Sequence, residues 1–173
     1  MSARETSSLE CAPLVDRCTL HLYRGNAFRI LGSPVDSSLK DITRQVDRLQ
    51  KMAEFSGPEG LRQTHACALS PAPLLSDIRE AAQHLKDPEQ RLIDEFFWFW
   101  PAAASAQDDP AMQAVQRGDM DSALACWHSL ESDGRADFIA SHNIAVLHHL
   151  RALDATVARL QQKAPDEQEA ATA

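Results

Sequence analysis

Glycine is scarce in this chain of 173 residues: there are six, each isolated. That leaves no glycine-rich loop to cradle a phosphate. β-Branched residues are sparse beside Ala, Leu, Gln and Arg, a balance that favours helices over strands. Positive charge is in deficit too. Seventeen Lys and Arg against 25 Asp and Glu give a net charge of −8. Such a balance argues against a general nucleic-acid or anionic-membrane binder. No apolar run approaches the roughly 18 residues of a membrane span. The opening MSARETSSLECAPLV has no basic segment followed by a continuous apolar one, so no secretion signal is expected. The four cysteines, Cys11, Cys18, Cys67 and Cys126, are scattered, which points to free thiols and a reducing, cytoplasmic setting.

Aromatic residues are few: three Trp, one Tyr and six Phe. Five of them nevertheless stand together as Phe96, Phe97, Trp98, Phe99 and Trp100, closed by Pro101. A helix advances about 100° per residue, so five in a row would wrap its circumference. Left exposed together they would be an aggregation liability. The collar is therefore expected to be core, joining two halves of the molecule, with the Trp N–H groups near its boundary. A docking site for a membrane or partner is the competing reading.

Along the chain the apolar period is helical. HLYRGNAFRILG reads as a short helix stopped by Gly32. Asp36 or Ser37 is a candidate cap for the next helix, with Asp41 in its early turns. Leu39, Ile42, Val46, Leu49 and Ala53 form its apolar stripe, and Lys40, Arg44, Arg48 and Lys51 follow another face. The helix should end near SGPEG. A long connection with Pro58, Pro71 and Pro73 follows. LLSDIREAAQHL restarts the period, Asp87 caps the next element, and EQRLIDEFFWFW runs as a helix to Pro101. After AAASAQDD come PAMQAVQRG, DMDSALACWHSLES and one long helical segment, RADFIASHNIAVLHHLRALDATVARLQQ.

Two resemblances emerge. NAFRILG, VDSSLKDI, the basic second helix and IREAAQHLKDPEQR follow in the order of a J domain, the co-chaperone module that stimulates DnaK-type ATPases. Residues 22–97 carry this likeness, most specifically the Asp-Pro-Glu-x-Arg turn. A working J domain has His-Pro-Asp just after its second helix. Glu54, Phe55 and Ser56 stand there in this chain. The resemblance thus implies the fold, and a basic second-helix face that meets an acidic protein, without the usual ATPase stimulation. RGDMDSALACWHSLES and HNIAVLHHL resemble about one and a half tetratricopeptide repeats over residues 110–154. So short a stack cannot cover its own faces.

The fold expected is all-α: a J-domain-like helical unit packed on a short tetratricopeptide-like hairpin. Residues 1–20 form an N-terminal extension, 21–101 the J-like domain, 102–109 a linker, 110–162 the repeat-like helices and 163–173 a disordered tail. No catalytic constellation or cofactor site is read. Cys11, Cys18, His21 and Cys67 lack the close pairing of a zinc site, so no metal is assigned. The function expected is a non-catalytic protein–protein adaptor or scaffold within a larger assembly. A divergent co-chaperone recruiting a DnaK-type ATPase is one alternative, and a sensing component of a bacterial stress or defence system, acting at a membrane or assembly, is another. Lys40, Arg44, Arg48 and Lys51 are the candidate docking residues, and His142 and His149 line a candidate groove. His142 should be partly buried, and His148 and His149 largely exposed. The partner is another protein, not nucleic acid, and membrane contact is not expected. Ile139, Asn143, Val146, Leu150, Leu153, Val157 and Leu160 form a heptad seam through which the C-terminal helix could pair with a second copy.

Overall fold

The computed structural model describes residues 18–62, 69, 72–132 and 137–170. Among them there are seven α-helices and no strand: α1 Ala27–Leu31, α2 Leu39–Arg62, α3 Leu75–His84, α4 Pro88–Phe96, α5 Pro110–Arg117, α6 Met120–Ser132 and α7 Asp137–Ala170.

Side-chain caps explain most of the boundaries. The expected first helix begins only at Ala27, because the Asn26 side chain accepts from the N–H groups of Phe28 and Arg29. It ends at Gly32, whose φ of 62° is left-handed. The cap of α2 is Ser38 rather than Asp36 or Ser37. Ser38 Oγ accepts from the Asp41 N–H, and Asp41 Oδ2 accepts from the Ser38 N–H, a reciprocal pair. Asp36 serves elsewhere and accepts from the N–H of Ala106 at 2.9 Å. Helical residues continue through Arg62, but the run breaks at Gly57, where φ is 63° and ψ −166°. The SGPEG breakers therefore act as expected, with a short helical piece beyond them. Asp87 caps α4 and Asp109 caps α5, each with Pro at the first helical position.

All five residues of α1 are buried, and the helix packs on α2, α3 and α4. Ile42 and Leu49 from α2 and Ile78, Ala81 and Leu85 from the α3 region complete this half of the core. In the second half α5 packs on α6 and α6 on α7, through Met112, Ala123, Trp127, Ala140 and Leu147. Ala123 is fully enclosed, as its place beside a close helix contact requires. Helical backbone extends to Ala170, past the boundary expected at residue 162.

The aromatic stretch is a joint but not a helical collar. Helix α4 stops at Phe96, Phe97 and Trp98 turn, and Phe99 and Trp100 leave without helical structure. Trp98 and Phe99 are buried, Phe97 and Trp100 are half-buried, and Phe96 is 49% exposed. Phe99 stacks on Trp127 of α6, with centroids 5.3 Å apart. The expectation of an all-round buried helix is thus corrected. Unwinding after Phe96 lets two rings enter one core while neighbouring rings face outward. Residues 102–109 are bound into this junction. Ala106 is buried, and the buried Asp109 carboxylate accepts from the N–H groups of Ala102, Ala103, Ala111 and Met112.

Polar contacts complete the joint. Arg29 of α1 makes a two-pronged ion pair with Asp154 of α7, and Arg24 approaches the same carboxylate at 3.9 Å. Asn26 Nδ2 donates to the Asp94 carbonyl at 2.8 Å, which ties the entry of α1 to α4.

Candidate functional site

Lys40, Arg44, Arg48 and Lys51 are all exposed on α2. Their spacing of four, four and three residues places them in one stripe. Ile42 and Leu49 turn the opposite face into the core, which is why the stripe faces water. Arg44 is tied to Asp41 at 3.0 Å. The Asp41 carboxyl is held below its ordinary pKa, first by the hydrogen bond from Ser38 and then by Arg44 and Lys40. Among the described residues, Arg48 and Lys51 have no ion-pair partner, so their charge is available to solvent. The stripe continues into Met52 and Phe55, one helical turn further along the same face. Phe55 is 87% exposed. Arg44, Asp47, Arg48, Lys51, Met52 and Phe55 line a shallow groove of about 530 Å³ that also reaches Ser56.

This geometry pairs cations with an unburied ring at the end of one helix. It can meet a surface that is acidic with an apolar element beside it. Sequence reasoning found the cations and missed the aromatic contribution. Phe55 had been noted only as part of Glu54-Phe55-Ser56. Its position four residues after Lys51 and just before a glycine break was the available signal.

A second cleft, of about 670 Å³, opens where the two halves meet. Phe28, Ser33, Asp41 and Arg48 bound it on one side, and Trp98, Ala106, Met112 and Gln116 on the other. Arg48 therefore borders both the joint and the outer groove.

The two histidines named as groove residues are engaged within the fold. His142 is half-buried and lies flat against Trp100, with centroids 3.9 Å apart. Its Nε2 is 3.0 Å from the Trp98 carbonyl, an arrangement in which Nε2–H donates. Burial lowers the His142 pKa, and the bond to Trp98 partly opposes that shift. His149 is exposed, yet its Nδ1 lies 3.2 Å from the Tyr23 hydroxyl and the rings meet edge to face. The Tyr23 pKa is pushed up to about 12, first by burial and then by the charge of Cys18. His142 and His149 thus brace α7 against the joint and the first half, and they do not converge on one site.

Asn143 of the heptad seam turns inward instead of toward a partner. It is fully buried and holds the backbone of Trp100. Val146, Leu150 and Val157 are buried as well, while Leu160 is 52% exposed. Intramolecular packing uses most of the seam.

Cys11 and Cys67 lie outside the described residues. Cys18 and His21 are exposed. Among the described residues, no three His, Cys, Asp or Glu side chains converge as a metal ion would require. No helix among them is long and apolar enough to cross a membrane. No protein-family model, curated protein or solved structure matches the chain.

Proposed function

We propose that this chain is a non-catalytic adaptor that docks an acidic surface of another protein through the outer face of α2. The observation that carries this reading is the stripe of Lys40, Arg44, Arg48 and Lys51 ending in the exposed Phe55, on a chain of net charge −8. A concentrated basic face on an acidic molecule gives orientation and selectivity in encounter. An exposed ring beside it supplies contact area that charge alone does not.

The adaptor is read as a J-like unit carried on a tetratricopeptide-like hairpin. Three features support that reading: the short buried α1, the α2–α3 pairing, and the Asp87-Pro88 entry into α4. Glu54, Phe55 and Ser56 replace the His-Pro-Asp of a working J domain, so docking without ATPase stimulation is the expected behaviour.

The test compares proteins captured by the native chain with those captured by a variant carrying Lys40→Glu, Arg44→Glu, Arg48→Glu and Lys51→Glu. Partners that the native chain holds in a salt-sensitive manner should be lost on reversal. Capture that is indifferent to reversal would overturn the docking face. Steady-state ATPase assays with a DnaK-type chaperone form the second arm. Stimulation that disappears on reversing Arg44 and Arg48 would establish the co-chaperone alternative instead.

A further inference from the structure

We infer that the cleft between α2 and α5 holds a short zwitterionic peptide in extended form, its ammonium group at the α1–α2 turn and its carboxylate at Arg48. The cleft, of about 670 Å³, has the volume of a small-ligand site. It shares Arg48 with the outer groove, and the inference does not rest on the docking role of that face. One wall is built by Asp41, Gln45 and Arg48, which recur at four- and three-residue steps on one side of α2. Met112, Val115 and Gln116 of α5 form the other, with Ser105 and Gln107 above them in sequence.

Two groups in the α1–α2 turn point to a ligand. Ser33 is 7% exposed and lines the cleft, and its hydroxyl has no hydrogen-bond partner among the described residues. A buried hydroxyl left so costs stability until something in the cleft meets it. Asp36 lines the cleft as well. One of its carboxylate oxygens accepts from the Ala106 N–H at 2.9 Å, a bond that bridges the two sides, and the other is unengaged among the described residues. An ammonium group has the donors to serve both Ser33 and Asp36 at once.

Charge and spacing select the rest of the ligand. Arg29, Asp36, Asp41 and Arg48 line the cleft, but Arg29 is paired with Asp154 and Asp41 with Arg44. Asp36 and Arg48 have no ion-pair partner among the described residues, so one charge of each sign is left. A ligand with one ammonium and one carboxylate matches them; a polyamine meets Arg48 and a dicarboxylate meets Asp36. Between these ends the lining is rich in amides. Gln45 donates Nε2 to the Leu31 carbonyl at 2.8 Å and keeps Oε1 as an acceptor, while the Gln107 and Gln116 side chains are unengaged among the described residues. A primary amide presents a donor and an acceptor together, as a peptide group does. Phe28, Trp98 and Met112 give an apolar backing for a side chain. From Asp41 to Arg48 the wall runs about 10 Å, at about 1.5 Å per residue. An extended chain covers that length in about three residues.

Isothermal titration calorimetry of the full chain with trialanine, and with its analogue carrying a central leucine, tests this. At least one peptide should bind with one-to-one stoichiometry. Acetylating its amino terminus should weaken binding about tenfold or more in the native chain, but not in Asp36→Asn, which keeps an acceptor for Ala106. Amidating its carboxyl terminus should do the same in the native chain, but not in Arg48→Gln. Ser33→Ala should weaken the peptide without lowering the melting temperature, and Lys51→Gln, on the outer groove alone, should leave its affinity unchanged. Absence of binding by both peptides at millimolar concentration overturns the inference. So does binding that the blocked peptides share in full, or binding that Lys51→Gln removes, which would place the peptide on the outer groove.

Discussion

Asn143 holds both backbone polar groups of Trp100. Its Oδ1 accepts from the Trp100 N–H, and its Nδ2 donates to the Trp100 carbonyl, each at 2.8 Å. The chain there has just left a helix and has no ladder or helical partner, so a side chain supplies what secondary structure cannot. The clamp fixes the non-helical exit from α4. It thereby directs Trp98 and Phe99 inward and Trp100 toward the surface.

Asn143→Ala should destabilise the fold by about 2–4 kcal/mol, because two backbone groups lose their partners. Asn143→Asp is the sharper probe. It keeps an acceptor for the Trp100 N–H but sets a carboxylate oxygen against the Trp100 carbonyl in a buried site. It should cost at least as much as the alanine change. Urea unfolding of both variants checks this. If Asn143→Asp is harmless, the second half of the clamp does not contribute.

The aromatic stretch should divide by position. Phe99→Ala removes a buried ring from the stack on Trp127 and should cost about 3–5 kcal/mol. Trp98→Ala should fall in the same range. Phe96→Ala, at a half-exposed position, should cost under about 1 kcal/mol. Trp127→Phe should be milder than Trp127→Ala, since the buried indole N–H has no hydrogen-bond partner among the described residues. Thermal melts of the five variants check the order. Equal losses at Phe96 and Phe99 would mean that the stretch acts as one unit.

Much of the helical order was legible in the sequence, because it rests on local chemistry. Asp87-Pro88 and Asp109-Pro110 announce their helices, and Gly32 and Gly118 stop theirs with left-handed backbone. The basic stripe was also legible, since helical spacing alone places Lys40, Arg44, Arg48 and Lys51 together. The failures were tertiary. Nothing local distinguishes Trp100 as helical from Trp100 held open by a residue 43 positions away. Asp36 has the chemistry of a cap but is drawn to Ala106 across the joint, which leaves the cap to Ser38.

The link between the first and last helices gives a third prediction. Arg29 is 4% exposed, while Asp154 lies nearer the surface. Asp154→Ala should destabilise by about 3–5 kcal/mol, more than a surface carboxylate would, because a buried guanidinium loses its two-pronged contact with a carboxylate. Arg29→Met combined with Asp154→Leu should recover much of that loss. Chemical denaturation of the single and double variants measures the coupling. Additive losses in the double variant would refute it.

His142 makes stability depend on pH in a definite direction. Its folded pKa lies below the ordinary 6.5, mainly because burial disfavours the charged ring. The unfolded ring takes up a proton near 6.5 while the folded ring still resists. Protonation therefore favours the unfolded chain as pH falls from 6.5 through the lower folded value. The contribution of neutral His142 is fully present above 6.5 and is lost below it. The native melting temperature should thus fall between about pH 7 and about pH 5. His142→Gln, which cannot titrate, should be less stable at neutral pH, where the stack on Trp100 is lost, yet show a shallower acid decline. Parallel melts across that range separate the two effects. An identical slope in both proteins would show that other groups govern the acid response.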